Sequence, residues 1–380
     1  MVFWRSQIIM NKLNVGVIGC GVISEIYMEN CTKKFRNLKL VACADILYES
    51  ALRRAKQFGC KAESIEELLG DPEVDVVLNL TPPASHFNIS MKILKAGKHV
   101  YTEKPMAANK TECELLLKFA KENNLYIGNA PDCFLGAGLQ TCRRLLESGA
   151  IGTPFAAQAF MFSFGPENFH PNPSFFYQHG AGPLLDWGPY YISALVALMG
   201  PIRKVIALGR SPFHERCVLS TDSPHFGENF PVEVPTYVTS LLEFENDFIA
   251  TLSISFDMKY PYWESNMPFI RIFGTEGSLD VPDVNQYGGP VIIRDKKGSE
   301  KDIGLINNHF DNNRGVGLSD MAYAIQTGNS FRANGDFGLH VTEVLVDIQE
   351  AINTGKPIEV KNRCKKPDLV TSKLTSCLYG

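Results

Sequence analysis

The run Leu13-Asn14-Val15-Gly16-Val17-Ile18 leads straight into Gly19-Cys20-Gly21-Val22-Ile23-Ser24, and no other stretch restricts the fold as tightly. An apolar run of this kind reads as a buried strand. The glycines make a tight turn, and Glu25 to about Phe35 reads as a helix. Strand, glycine turn and helix in that order suit a diphosphate. Gly19 permits the turn, and Gly21 has no Cβ to hold a pyrophosphate off. The N–H groups of Val22 and Ile23 and the positive end of the helix dipole then face the negative charge. Ser24 stands at the third glycine position, so the fingerprint is imperfect.

Asp45 ends a second apolar run, Leu38 to Ala44. A carboxylate at the tip of the second strand can accept both ribose hydroxyls of an adenosine, and it repels a 2′-phosphate. Ile46-Leu47-Tyr48 offers no arginine to receive such a phosphate, so NAD is favoured over NADP. The alternative is that Asp45 only caps the next helix.

Bulk composition narrows the class. A chain of 380 residues should form about two domains. It is 45% hydrophobic and 21% charged with a net charge of −4, so no basic excess points to nucleic acid. Ten cysteines without C-x-x-C pairs read as reduced packing residues of a cytoplasmic protein, with no disulfide frame and no metal site. The mildly apolar start is too short for a membrane span. Residues 1–10 are expected to be disordered or an extra N-terminal segment.

From residue 11 to about 130 the pattern alternates strand and helix. Val74–Leu80, His99–Thr102 and Leu125–Gly128 read as strands, and Phe87–Ala96 and Thr111–Asn123 as helices. Repeated βα units imply a doubly wound parallel sheet. After residue 131 the grammar changes. Helices are expected at Leu139–Ser148 and Pro189–Met199. Val238–Phe244 and Phe248–Phe256 flank a short polar turn and read as a hairpin. Val205–Arg210, Phe269–Phe273 and Pro290–Arg294 add strands. The second half, 131–362, is therefore expected to be an α+β domain with a large, mainly antiparallel open sheet. Its outer face, with Thr251 and Ser253 beside apolar neighbours, suits a subunit interface. Residues 363–380 read as a loose tail.

Three clusters carry polar side chains toward a site. Asn79-Leu80-Thr81-Pro82-Pro83-Ala84-Ser85-His86 closes a strand at its carboxyl end, where ligands bind in open α/β sheets. Glu103-Lys104-Pro105 ends the following strand, and a lysine there can polarise a carbonyl. Gly180-Ala181-Gly182-Pro183 leads into a helix carrying Asp186 and, four residues on, Tyr190 on the same face. Each also has a plainer reading: a simple βα loop, a surface lysine, a helix N-terminal charge and a packing aromatic. Asn312-Asn313-Arg314 is a polar run before Gly315 with two readings, a reach toward the cleft and the plainer one of a solvated loop.

Taken together, these motifs resemble the Gfo/Idh/MocA family of nicotinamide-dependent oxidoreductases from about residue 13 to 360. The likeness rests on the glycine turn, Thr81-Pro82 with His86, and Gly97-Lys98-His99-Val100 leading to Glu103-Lys104-Pro105. Gly149-Ala150-Ile151-Gly152-Thr153-Pro154, the glycine loop before Asp186, and Gly274-Thr275-Glu276-Gly277 complete it. The resemblance implies a Rossmann domain followed by an α+β domain, a sugar or polyol substrate, and a homo-oligomer, dimer or tetramer, built on the open sheet. It implies coenzyme contacts at Gly19, Gly21, Val22, Ile23, Asp45, Thr81, Pro82, His86, Glu103 and Lys104. Lys104 would touch the reacting oxygen and Asp186 would help hold the substrate, with Asp132, His170 and Tyr177 in the surrounding walls.

The sequence departs from the family's pattern at position 190, where a tyrosine stands in place of the usual acid/base histidine. Imidazole titrates near neutrality and phenol near pH 10. Three readings stay open. Tyr190 is itself the acid/base, its phenolate favoured by Lys104; His170 or His179 has taken the role; or chemistry is weak or absent. The last would make the protein a non-catalytic NAD sensor. Transient oxidation in an NAD-dependent glycoside-cleaving enzyme is a further alternative.

Overall fold

The computed structural model describes residues 11–259 and 269–379. The expectation for residues 1–10 lies outside them.

Apart from the polar edge strand, the first sheet is built from short, largely apolar strands that bury both faces, as parallel strands do. They are β1 (Leu13–Ile18), β2 (Leu38–Ala44), β3 (Lys61–Glu63), β4 (Val76–Asn79), β5 (His99–Thr102) and β6 (Ile127–Asn129). All pairs are parallel, in the order β3-β2-β1-β4-β5-β6. The order reverses between β1 and β4, which opens a crevice at their carboxyl ends. The connecting helices are α1 (Ser24–Lys33), α2 (Tyr48–Phe58), α3 (Ile65–Gly70), α4 (His86–Lys95) and α5 (Lys110–Glu122). Local chemistry starts some of them. Ser64 and Glu67 form a capping box on α3, and the Asn109 side chain accepts from Glu112 N–H at the start of α5.

Beyond β6 come α6 (Ala137–Glu147), β7 (Pro154–Phe162), α7 (Pro183–Met199), β8 (Ile202–Arg210), β9 (Glu215–Cys217) and β10 (Asn229–Pro231). Next are β11 (Tyr237–Phe244), β12 (Ile249–Ser255), β13 (Ile270–Gly274), β14 (Gly277–Val281), β15 (Ile292–Asp295) and β16 (Glu300–Asp302). The chain ends with α8 (Val316–Thr327), α9 (Gly335–Thr354), β17 (Ile358–Glu359) and α10 (Ser372–Leu378). Nine of these strands form one sheet, in the order β16-β15-β14-β13-β7-β12-β11-β8-β17. The expected hairpin is β11 with β12, paired antiparallel from Tyr237↔Ser255 to Glu243↔Ile249. The sheet is mixed, because β7 and β12 run parallel. One face packs on α7 and α9. The other leaves Ile206, Leu208, Leu241 and Ile249 exposed.

Helix α7 begins six residues before the expected Pro189, with Pro183 in its first turn, and is buried from Tyr191 to Met199. Helix α9, twenty residues long, had no counterpart in the sequence reading. It packs against β8 of the large sheet and also against α5 and β6 of the first sheet. Of the expected loose tail 363–380, the described residues 363–379 are packed. Arg143 donates to the Pro367 carbonyl, Val370 N–H donates to Gln140, and α10 packs on α8. Tyr379 then bridges Phe35, next to α1, with ring centroids 5.6 Å apart. Apolar side chains at Leu374 and Leu378 supply what the basic composition hid. Among the described residues no helix is long and apolar enough to cross a membrane.

Candidate active site

The glycine turn sits at the crevice. Gly19 has φ +101°, and a Cβ there would lie 2.6 Å from the Leu80 backbone, so only glycine fits. At Gly21 a Cβ would meet nothing within 4 Å, which leaves open space on the side where a ligand would approach. The N–H groups of Gly21, Val22 and Ile23 have no acceptor among the described residues. Ser24 replaces the third glycine without harm, because its hydroxyl turns back to the Gly21 carbonyl at 2.6 Å.

Asp45 is both a brace and an open acceptor. Its Oδ2 accepts from Cys20 N–H at 2.7 Å and its Oδ1 from Leu47 N–H at 2.8 Å, leaving lone pairs for further donors. Arg54, on α2, is buried and donates to Ser24 Oγ and the Gly21 carbonyl while pairing with Glu25. This buttress was missed in the sequence, where Arg54 looks like any helix arginine.

Across the crevice lies a cavity of about 610 Å³ at the carboxyl end of β5. Lys104 reaches into it from the first sheet, and Asp186, Trp187 and Tyr190 reach into it from α7. Lys104 Nζ is 2.9 Å from Asp186 Oδ1, 2.8 Å from its carbonyl, and 5.3 Å from the Tyr190 ring centroid. Burial pulls the ammonium down, but Asp186, Tyr190 and Glu103 together hold it above its ordinary value. Burial pushes the Tyr190 phenol up to about 12, against the opposing pull of Lys104. The expected phenolate is therefore not favoured: desolvation outweighs the neighbouring cation. Glu103 braces the lysine's backbone, accepting from Lys104 N–H at 2.9 Å and from Tyr27 O–H at 2.7 Å.

Asn285 also lines the cavity, and its Oδ1 accepts from Arg314 at 2.7 Å. A guanidinium only donates, so the amide oxygen must face it and the NH₂ is left to donate elsewhere. Arg314 is half-buried, against the plainer reading of a solvated loop. No spacing in the sequence ties positions 285 and 314 to the cleft.

The comparisons with known proteins fit this geometry. Residues 13–129 match the model described as an oxidoreductase family with an NAD-binding Rossmann fold, and residues 139–280 match the GFO/IDH/MocA C-terminal domain. The chain belongs to the Gfo/Idh/MocA family. Its first domain is an NAD-binding Rossmann domain, with the open turn at Gly21 and the acceptor at Asp45 both at its crevice.

Relatives within the family are distant. The scyllo-inositol 2-dehydrogenase (NAD(+)) of Bacillus subtilis (strain 168) is 24% identical over 299 residues, 77% of this chain and 80% of that one. The levoglucosan dehydrogenase of Pseudarthrobacter phenanthrenivorans is 24% identical over 289 residues, covering 71% and 73%. A solved structure of levoglucosan dehydrogenase, in complex with NADH and L-sorbose, superposes with a TM-score of 0.78 at 20% identity. It covers 92% of this chain and 99% of its own.

Several residues expected at the Gfo/Idh/MocA site are placed otherwise. His86 is buried, with Nδ1 2.6 Å from the Pro105 carbonyl and Nε2 2.7 Å from the Thr81 carbonyl, so it ties two cleft loops together and leaves no ring nitrogen for coenzyme. Asp132 is buried beneath the cleft. Its Oδ1 accepts from Tyr287 O–H, and its Oδ2 accepts from Gly315 and Gly317 N–H. It anchors the turn that carries Arg314 and does not form a wall. Tyr177 is fully buried, donating to Glu167 at 2.8 Å. His170 accepts from Asn172 N–H and packs edge-on to Phe176, and neither it nor His179 lines the cavity beside Lys104. Thr81, Pro82 and Glu103 stay at the crevice edge, where Thr81 is fixed by Asn79 at 2.7 Å. Among the described residues no cluster of His, Cys, Asp or Glu could hold a metal ion.

Proposed function

We propose that this protein is an NAD-dependent oxidoreductase that interconverts a carbinol and a ketone on a sugar, inositol or related polyol. The observation that carries the reading is the Lys104–Asp186 pair standing over Tyr190 in one cavity, at the sheet edge that follows the coenzyme turn. Bound NAD supplies the hydride acceptor, and NADH the donor. Everything else falls to the chain. Lys104 hydrogen-bonds the reacting oxygen, and its charge stabilises an alkoxide as it forms. Asp186 orients the ammonium and accepts from a neighbouring hydroxyl. Tyr190 is the proton carrier, and a phenol kept neutral by burial is best placed to donate. The site therefore favours the reducing direction, with Tyr190 giving its proton to the oxygen of a ketone. Asn285, its amide turned by Arg314, donates to a further hydroxyl.

Asp45 supports NAD over NADP, because a 2′-phosphate would meet a carboxylate where the ribose belongs. The sensor reading is weaker: a charged pair over a phenol in a cavity serves no purpose in holding a dinucleotide alone. A panel of sugars and inositols with NAD⁺, and of their keto forms with NADH, tests the proposal by NADH absorbance. Failure of every keto sugar to oxidise NADH would refute it.

A further inference from the structure

A second cavity, of about 280 Å³, lies beside the first and no part of the proposed chemistry uses it. The two share Phe164, Asn168 and Phe256. The segment after β7 borders both: Ser163, Gly165 and Pro166 line the Lys104 side, Glu167 lines the other, and Phe164 and Asn168 line the two together. That segment is pinned. Gly165 has φ +90°, and a Cβ there would lie 2.2 Å from the Tyr177 hydroxyl. Arg216, nearly buried, binds the Phe164 carbonyl at 2.9 Å, Glu167 at 2.5 Å and Asp257 at 3.2 Å. The second cavity therefore has a fixed floor, on which Arg216 bridges the two carboxylates of Glu167 and Asp257.

Its chemistry selects among occupants. The walls include the rings of Phe164 and Phe256, with Phe213 beneath Lys259 and Arg216 at 4.5 and 5.3 Å, and the rim carries the exposed polar side chains of Asn168, Glu215 and Lys259. An alkyl chain would strip water from those polar groups without replacing their hydrogen bonds. An anion would meet three carboxylates, Glu167, Glu215 and Asp257, against two cations, Arg216 and Lys259. A neutral ring with apolar faces and hydroxyl edges satisfies both the walls and the rim. The volume lies near the lower end of the roughly 300–1,000 Å³ of small-molecule sites, which suits a single such unit.

We propose that this second cavity is a subsite for a second sugar unit, so that the substrate is a disaccharide or glycoside whose reacting ring lies beside Lys104. The inference rests on the reading that the Lys104 cavity holds the reacting carbinol or ketone.

The test compares cellobiose, lactose and maltose with D-glucose and D-galactose, using the full chain with NAD⁺. The subsite predicts kcat/KM at least tenfold higher for a disaccharide than for its monosaccharide. Cys217→Phe, which fills the second cavity, and Glu215→Ala, an exposed rim position, should each lower that ratio at least tenfold. A wild-type ratio near one, or a ratio that neither variant changes, overturns the proposal. If no sugar turns over, the redox reading fails separately. Calorimetric titration of the same sugars into the NADH-bound protein then decides the subsite. Tighter disaccharide binding that is lost in both variants upholds it, and equal affinities overturn it.

Discussion

Raising the pH separates Tyr190 from every histidine as the proton carrier. Burial places its phenol at about 12, so only about one molecule in 10⁴ is ionised at pH 8 and about one in 10² at pH 10. Oxidation of a polyol needs that ionised form, whereas reduction of a ketone needs the protonated one. Turnover in the oxidising direction should therefore climb about tenfold per pH unit between about pH 7 and pH 10 with no plateau, while ketone reduction stays flat. Tyr190→Phe should lower reduction by roughly 10²–10⁴, the usual worth of a general acid, without altering affinity for NADH. Steady-state rates at saturating substrate, read by NADH absorbance, give both slopes. Oxidation that levels off near pH 7 would mark an imidazole and refute the assignment, as would a Tyr190→Phe variant within threefold of wild type.

Further expectations follow from the same contacts. Asp45→Ala should narrow the preference for NAD over NADP at least tenfold in kcat/KM, and an unchanged preference would remove the ribose role. Arg314→Met frees the Asn285 amide and should raise KM for the sugar at least fivefold while leaving NADH affinity intact; an unchanged KM would show that Asn285 does not meet substrate. Burial, with Glu343 and Glu350, raises Asp347 to about 6 against the pull of Lys110. A raised carboxyl stabilises the fold fully below about pH 4 and loses that contribution as pH rises through about 6, by roughly 2–3 kcal/mol. The Tm of Asp347→Asn relative to wild type should thus climb from pH 5 to pH 8, and a constant difference would refute the shift. The exposed Ile206, Leu208, Leu241 and Ile249 predict a sheet-to-sheet oligomer, which Leu208→Asp should dissociate in sedimentation velocity.

The first sheet was legible because its signals are local. Leu38 to Ala44 is a contiguous apolar run that coincides with β2, and the turn at Gly19 is dictated by a φ that only glycine tolerates. Lys104 and Asp186 were legible because each sits at an element end, where side chains face the crevice, and Tyr190 because it lies one turn further along the same face of α7. What escaped depends on distant pairing. Asp132 and Tyr177 are polar residues in the right segments, yet whether such a side chain faces ligand or protein is decided by partners outside those segments: Gly315 and Gly317 for Asp132, and Glu167 with Arg216 for Tyr177. Helix α9 escaped because it is buried on more than one side: beside the stripe of Phe337, Val341, Val344, Leu345 and Ile348, the polar His340, Thr342, Glu343 and Asp347 are buried as well and blur the amphipathic pattern. The upward shift of Tyr190 follows from burial, which a sequence does not display.

Helix α9 has a further consequence. Its His340 accepts from Ile202 N–H at the start of β8, while Lys110 at the start of α5 pairs with its Asp347. One stiff rod is thus bolted to both layers that frame the crevice, and the crevice cannot widen by rotation of one layer without breaking those bolts. Sugars must then enter and leave by the movement of side chains and loops at the mouth. Exchange rates should respond to changes at the rim and be indifferent to the viscosity drag that slows swinging lobes.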